Sequence, residues 1–100
     1  MVQTELLNIN GKKAHGVLIE APGGEGHANM LVIKCDKGYI MCGYLNMEIA
    51  EKFNDAAVVV GGASFAEQLA NPVKAVSKSA EALGIQVGMT GAEAVEKLSI

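Results

Sequence analysis

The dipeptide Asn10-Gly11 lies between two long mixed-polarity segments, residues 3–9 and 12–20. Both of its residues tolerate positive φ, which a two-residue type I′ turn demands. The flanking segments are therefore predicted to fold back on each other as antiparallel strands. A Gly-rich loop, "APGGEGHA" at 21–28, separates this hairpin from the apolar segment "NMLVIKC" at 29–35. Asp36-Lys37-Gly38 follows as a second hairpin turn, and residues 39–45 form the return strand. Gly38 reads there as the left-handed residue closing a three-residue loop.

Beyond residue 45 the period changes. Asn46 is a plausible cap for a helix that sets Met47, Ala50 and Phe53 on one face. "AAVVVGG" is a β-branched buried strand ending in two glycines. Ser64-Phe-Ala-Glu67 and Thr90-Gly-Ala-Glu93 have the spacing of capping boxes, one opening a short helix to about Ala70 and the other a final helix to about Leu98. Asn71-Pro72 reads as a cap followed by a first-turn proline, starting a helix through Val73, Val76, Ala80 and Leu83 to Gly84. The predicted order is β-β-β-β-α-β-α-α-α. This is an α+β fold: one domain spanning 1–100, with a mixed, mainly antiparallel sheet of about five strands packed with four helices. The helical connection over 46–55 is just long enough to make strands 39–43 and 56–60 parallel neighbours.

The three-residue loop around Lys37 would pair Cys35 with Tyr39 and Val32 with Cys42. Met30, Val32, Ile40, Cys42 and Tyr44 then share one face, and Leu31, Ile33, Cys35, Tyr39 and Met41 the other. A shorter two-residue turn at Lys37-Gly38 would instead bring both cysteines to one face. Either way both faces are apolar. Half of the residues are hydrophobic but only four are aromatic, a large apolar content for 100 residues. One face is expected against the helices and the other against a partner subunit, so a homo-oligomer is expected.

Charge narrows the classes of partner. Eight basic residues are scattered singly in a chain of net charge −3. Nucleic-acid binding needs clustered cations, so no nucleic-acid partner is expected. No apolar run approaches the ~18 residues of a membrane span, and no basic segment leads into a long apolar one, so neither a membrane partner nor an export signal is expected. Two cysteines without such a signal point to a reducing, cytoplasmic setting. His15, His27, Cys35 and Cys42 are the only soft ligands and none falls in a C-x-x-C or H-x-x-x-H pair, so no metal site and no cofactor are expected.

"KGYIMCGYL" and "AEALGIQVGMTGAEAVEKL" resemble the YunC-like family, domain of unknown function 1805. The motifs that carry the resemblance are Gly38-Tyr39-Ile40-Met41-Cys42-Gly43, and Gly84-Ile85 followed by Gly88-Met89-Thr90-Gly91. The resemblance covers nearly the whole chain. It implies a small stand-alone α+β protein of a kind found in bacteria and archaea, and assigns no activity.

Two features converge on one sheet edge. Cys42 closes its strand shortly before a helix, a position that favours the reactive thiolate. Gly61-Gly62-Ala63-Ser64 joins a strand to a capped helix, where backbone N–H groups gather an anion. With strands 39–43 and 56–60 parallel, both loops lie at the carboxyl edge where α/β sheets place ligands. The expected ligand residues are Gly43, Tyr44, Gly61, Gly62 and Ser64, holding a small anion in a non-catalytic binding or assembly module. The alternative is a thiol enzyme or redox sensor with Cys42 as the catalytic nucleophile and the same N–H groups as an oxyanion hole. There is no G-x-G-x-x-G, Walker or G-x-S-x-G signature.

Overall fold

The computed structural model describes residues 1–100. Six strands and four helices run in the order β1 (Val2–Ile9), β2 (Lys12–Ile19), β3 (Met30–Lys34), β4 (Gly38–Met41), α1 (Met47–Lys52), β5 (Ala56–Val59), α2 (Phe65–Ala70), β6 (Ala75–Val76), α3 (Lys78–Ala82) and α4 (Gly91–Leu98). They form one sheet whose spatial order is the chain order, β1 to β6. Every neighbouring pair is antiparallel except β4 and β5, which α1 connects in parallel. The fold is α+β, as expected.

The first hairpin follows from its turn. Asn10 and Gly11 sit at φ 53° and 84°, and Ile9 faces Lys12 across the two-residue loop. Ala14, Gly16 and Leu18 of β2 then point to the helical side, where Gly16 makes room for the Phe65 ring, 2.7 Å from where a Cβ would stand.

The second hairpin differs from expectation. Its loop is Asp36-Lys37, with the Cys35 N–H donating to the Gly38 carbonyl at 2.8 Å. Val32 therefore pairs with Met41 and Ile33 with Ile40, one residue out of the predicted register. Both cysteines thereby fall on the helical face with Leu31, Ile33 and Ile40. The α4 carboxyl end fixes this turn: the Lys37 N–H donates to the Leu98 carbonyl at 2.7 Å, and the Ile100 N–H to Asp36 Oδ2 at 3.0 Å. Gly38 is required for a different reason than turn geometry. A Cβ there would collide with the Ala56 carbonyl oxygen of the adjacent parallel strand.

The predicted helix from Asn71 to Gly84 is also corrected. Asn71 closes α2, its N–H donating to the Glu67 carbonyl at 2.8 Å, and Ala75–Val76 extend the sheet as a sixth strand beside β5. Helix α3 starts only after Ser77, whose hydroxyl accepts from the Ala80 N–H at 3.2 Å. A short extended segment followed by a one-turn helix reproduces the three- and four-residue spacing that suggested a continuous helix.

Helices α2, α3 and α4 cover one face of the sheet. Leu31, Ile33, Ile40, Val58, Val95 and Leu98 are fully buried there. Helix α1 lies on the opposite face and buries Ala50 against Met41 and Ala57. No helix is long and apolar enough to cross a membrane.

Candidate functional site

Strands β4 and β5 run in parallel, so their carboxyl ends leave the sheet side by side. The ladder continues one step past both, with Val60 N–H donating to the Met41 carbonyl at 3.0 Å and Cys42 N–H to the Leu31 carbonyl at 3.1 Å. The two chains then diverge, one into Gly43-Tyr44 and the other into Gly61-Gly62. Between them lies a cleft of about 330 Å³ lined by Ala28, Asn29, Cys42, Gly43, Tyr44, Gly61 and Gly62.

The N–H groups of Gly43, Tyr44, Gly61 and Gly62 make no hydrogen bond within the chain. Unpaired main-chain donors on residues that border a recess suit an acceptor-rich guest. No carboxylate lines the cleft. Glu67 stands at the rim, but its Oε1 accepts from the Ala63 N–H at 3.3 Å. The Lys74 ammonium lies beside Gly61, 3.2 Å from where a Cβ would stand. The cleft is thus bordered by free main-chain donors together with the equally free carbonyls of Gly43, Tyr44 and Gly62, and Lys74 stands near its edge.

Its walls are held by specific contacts. Gly62 adopts φ +152°, and a Cβ there would stand 2.8 Å from the Gln68 backbone nitrogen in α2. Gly43 has nothing within 4 Å of a Cβ position, so it faces open space. Tyr44, half exposed, donates its hydroxyl to the Ala28 carbonyl at 3.2 Å. Asn29 ties the cleft floor to both flanking loops, accepting from the Ala21 N–H at 3.0 Å and donating to the Ala63 carbonyl at 2.9 Å.

Cys42 is only 4% exposed, and its Sγ accepts from the Leu31 N–H at 3.4 Å. Neither histidine lines the cleft: His15 is on β2, and the His27 ring lies beside Gly23 in the 21–28 loop. Cys42 and Tyr44 are the only titratable residues in the lining. Cys35, at the other end of the same face, has its thiol pushed up to about 11, first by burial and then by the neighbouring Asp36 charge. Beyond it Tyr39 donates to Asp55 Oδ2 at 2.7 Å; burial and that hydrogen bond push the phenol up to about 12.

Five of the six residues expected at this edge come together: Cys42, Gly43, Tyr44, Gly61 and Gly62. Ser64 does not join them. Its hydroxyl accepts from the Glu67 N–H at 3.2 Å and serves the helix. Ala28 and Asn29 complete the lining without having been anticipated. The signal was present in the hairpin: β3 begins where β4 ends, so the residues before Met30 must stand beside Gly43.

These observations define a small α+β protein whose one parallel strand pair opens into a loop-built cleft. The family described as "Domain of unknown function (DUF1805)" matches residues 41–98, the half of the chain that supplies most of that cleft. The uncharacterized protein YunC of Bacillus subtilis is 35% identical, covering 98% of this chain and 98% of its own. Over the same 98% of this chain, and 93% of the other, a protein of unknown function from Thermoplasma acidophilum, TA1206, superposes with a TM-score of 0.87 at 36% identity. The chain belongs to the DUF1805 family.

Proposed function

We propose that the protein is a non-catalytic module that binds a small oxyanion, carboxylate or phosphate in type, in the cleft between Cys42-Gly43 and Gly61-Gly62. The observation that carries this reading is the set of four N–H groups, on Gly43, Tyr44, Gly61 and Gly62, that make no hydrogen bond within the chain and border one recess. Lys74 beside Gly61 offsets the Glu67 carboxylate at the rim, which is itself engaged by the Ala63 N–H, and no carboxylate lines the cleft. Helix α2, with six residues, is too short to be the source of the site; the loops are. Two free, buried thiols suit a reducing compartment and support a cytoplasmic setting.

Cys42 serves in this reading as the apolar back wall. A thiol nucleophile has less support, because the lining offers it no base. Titration calorimetry with inorganic phosphate tests the two against each other. Binding that disappears in Gly43→Leu and persists in Cys42→Ser supports the anion cleft. Rapid alkylation of Cys42 in the folded protein, with phosphate binding unaffected by Gly43→Leu, would transfer the role to the thiol.

A further inference from the structure

The face of the sheet opposite α2, α3 and α4 is covered only at one end. Strand register fixes its rows. Thr4, Val17, Val32 and Met41 lie side by side across four strands, as do Val2, Ile19 and Met30 in the next row. Helix α1 packs over Met41 and Ala57 and leaves the floor made by β1, β2 and β3 open. On that floor Val2 is 66% exposed and Leu6 60%. The helix itself turns Ile49 and Phe53 outward, 51% and 67% exposed, where its own sheet does not reach. Between helix and floor is a cavity of about 500 Å³ lined by Val32, Met41, Leu45 and Ile49 among others.

The outer surface is therefore a step: a raised apolar helix beside a low apolar floor. We infer that the partner of this step is a second copy of the same chain, related by a two-fold axis running along the strands. That operation lays each α1 on the β1–β3 floor of the other copy, and the two helices lie side by side in one layer between two sheets. It fills both cavities at once, which an isologous contact does by construction.

Area and charge favour this occupant. The floor spans two strand gaps of ~4.8 Å and up to eight residues of ~3.3 Å, a flat footprint of roughly 250 Å² before side-chain relief is counted. Side-chain relief and the exposed flank of α1, with Leu45, Ile49 and Phe53, enlarge that footprint toward the ~800 Å² per partner of a standard interface. The floor carries Lys13, His15 and Lys34 on this face and no carboxylate, while α1 carries Glu48, Glu51 and Lys52, a net charge of −1. Docking α1 on the partner's floor brings opposite charges together at the rim.

Light scattering and sedimentation of the full chain across the micromolar range test the dimer. The expected mass is twice 10.4 kDa. Ile49→Glu and Leu6→Glu, both at exposed positions and checked for native circular dichroism, are each expected to weaken dimerisation by roughly tenfold or more, as for a charge placed at an interface centre. Val87→Glu, at a position 63% exposed away from this face, is the control and leaves the mass unchanged. A wild-type monomer would overturn the inference, as would a dimer that both substitutions leave intact. A monomer whose exposed step instead takes up a fluorescent amphiphile would assign the cavity to a small molecule and also overturn it.

Discussion

Two glycines border the same cleft for opposite reasons, and one substitution separates them. At Gly62 the backbone sits at φ +152°, a region that costs a side-chain-bearing residue about 1–3 kcal/mol. A Cβ would also stand 2.8 Å from Gln68 N and 3.2 Å from Gln68 Cα. Helix α2 has little freedom to retreat: Gln68 is fully buried, and its Nε2 donates to the Val60 carbonyl at 3.1 Å. Overpacking against such a neighbour adds a further ~1–3 kcal/mol. Gly62→Ala is therefore expected to destabilise by roughly 2–6 kcal/mol, a large share of the ~5–15 kcal/mol available to a domain. At Gly43 a Cβ meets nothing within 4 Å and φ is not positive. Gly43→Ala removes only unfolded-state freedom, so its effect ranges from neutral to about 1 kcal/mol stabilising. Urea unfolding followed by circular dichroism, with midpoints compared at constant slope, measures both. A Gly62→Ala change within ~0.5 kcal/mol of wild type, the range of an ordinary surface substitution, would mean that neither the φ nor the contact with α2 constrains this position. An equal loss at both positions would refute the contrast between them.

Ser77 is fully buried and its hydroxyl accepts from Ala57 N at 2.9 Å and Ala80 N at 3.2 Å while donating to the Asp55 carbonyl at 2.7 Å. Ser77→Ala strands those backbone groups and is expected to cost about 2–3 kcal/mol in chemical denaturation. Cys35 holds its proton more tightly when folded, at about 11 against the ordinary 9.0. Its contribution to stability is thus complete below about pH 9 and lost as pH rises toward 11. Cys35→Ala should flatten the stability profile over that window, and an unchanged slope would count against the burial of the thiol. Cys42, at 4% exposure, should be alkylated only as fast as the protein unfolds, read by mass spectrometry against denaturant.

Local signals made most of this fold legible. Asn10-Gly11 named the first hairpin, Asn46 and Thr90 the starts of two helices, and the 46–55 connection the parallel pair. The errors arose where distant chain decides local shape. The Asp36-Lys37 turn takes its length from Leu98 and Ile100, more than sixty positions away, and nothing in the turn residues announces that. Gly38 was read through its own φ, yet its lack of a Cβ serves the Ala56 carbonyl on another strand. Asn71-Pro72 matched a helix start because the cap and proline rules are blind to a sheet edge waiting to pair with Ala75-Val76. The cleft was legible because it depends on topology: once β4 and β5 are parallel, both glycine loops must emerge together. Ser64 reads both as a helix cap and as a cleft residue; its hydroxyl caps α2 and lies outside the lining, because a capping hydroxyl and a ligand-facing hydroxyl look alike in sequence. Asn29 was missed because its role needs the hairpin register.

If the cleft at the ends of β4 and β5 receives an anion, the N–H groups of Gly43, Tyr44, Gly61 and Gly62 must report it. Amide chemical shifts of the labelled protein during titration with inorganic phosphate test it most directly. The expected result is saturable shifts at Gly43, Tyr44, Gly61 and Gly62 with one common affinity, lost in Gly43→Leu. Silence at those amides, with small unsaturated shifts scattered over the surface lysines, would contradict it.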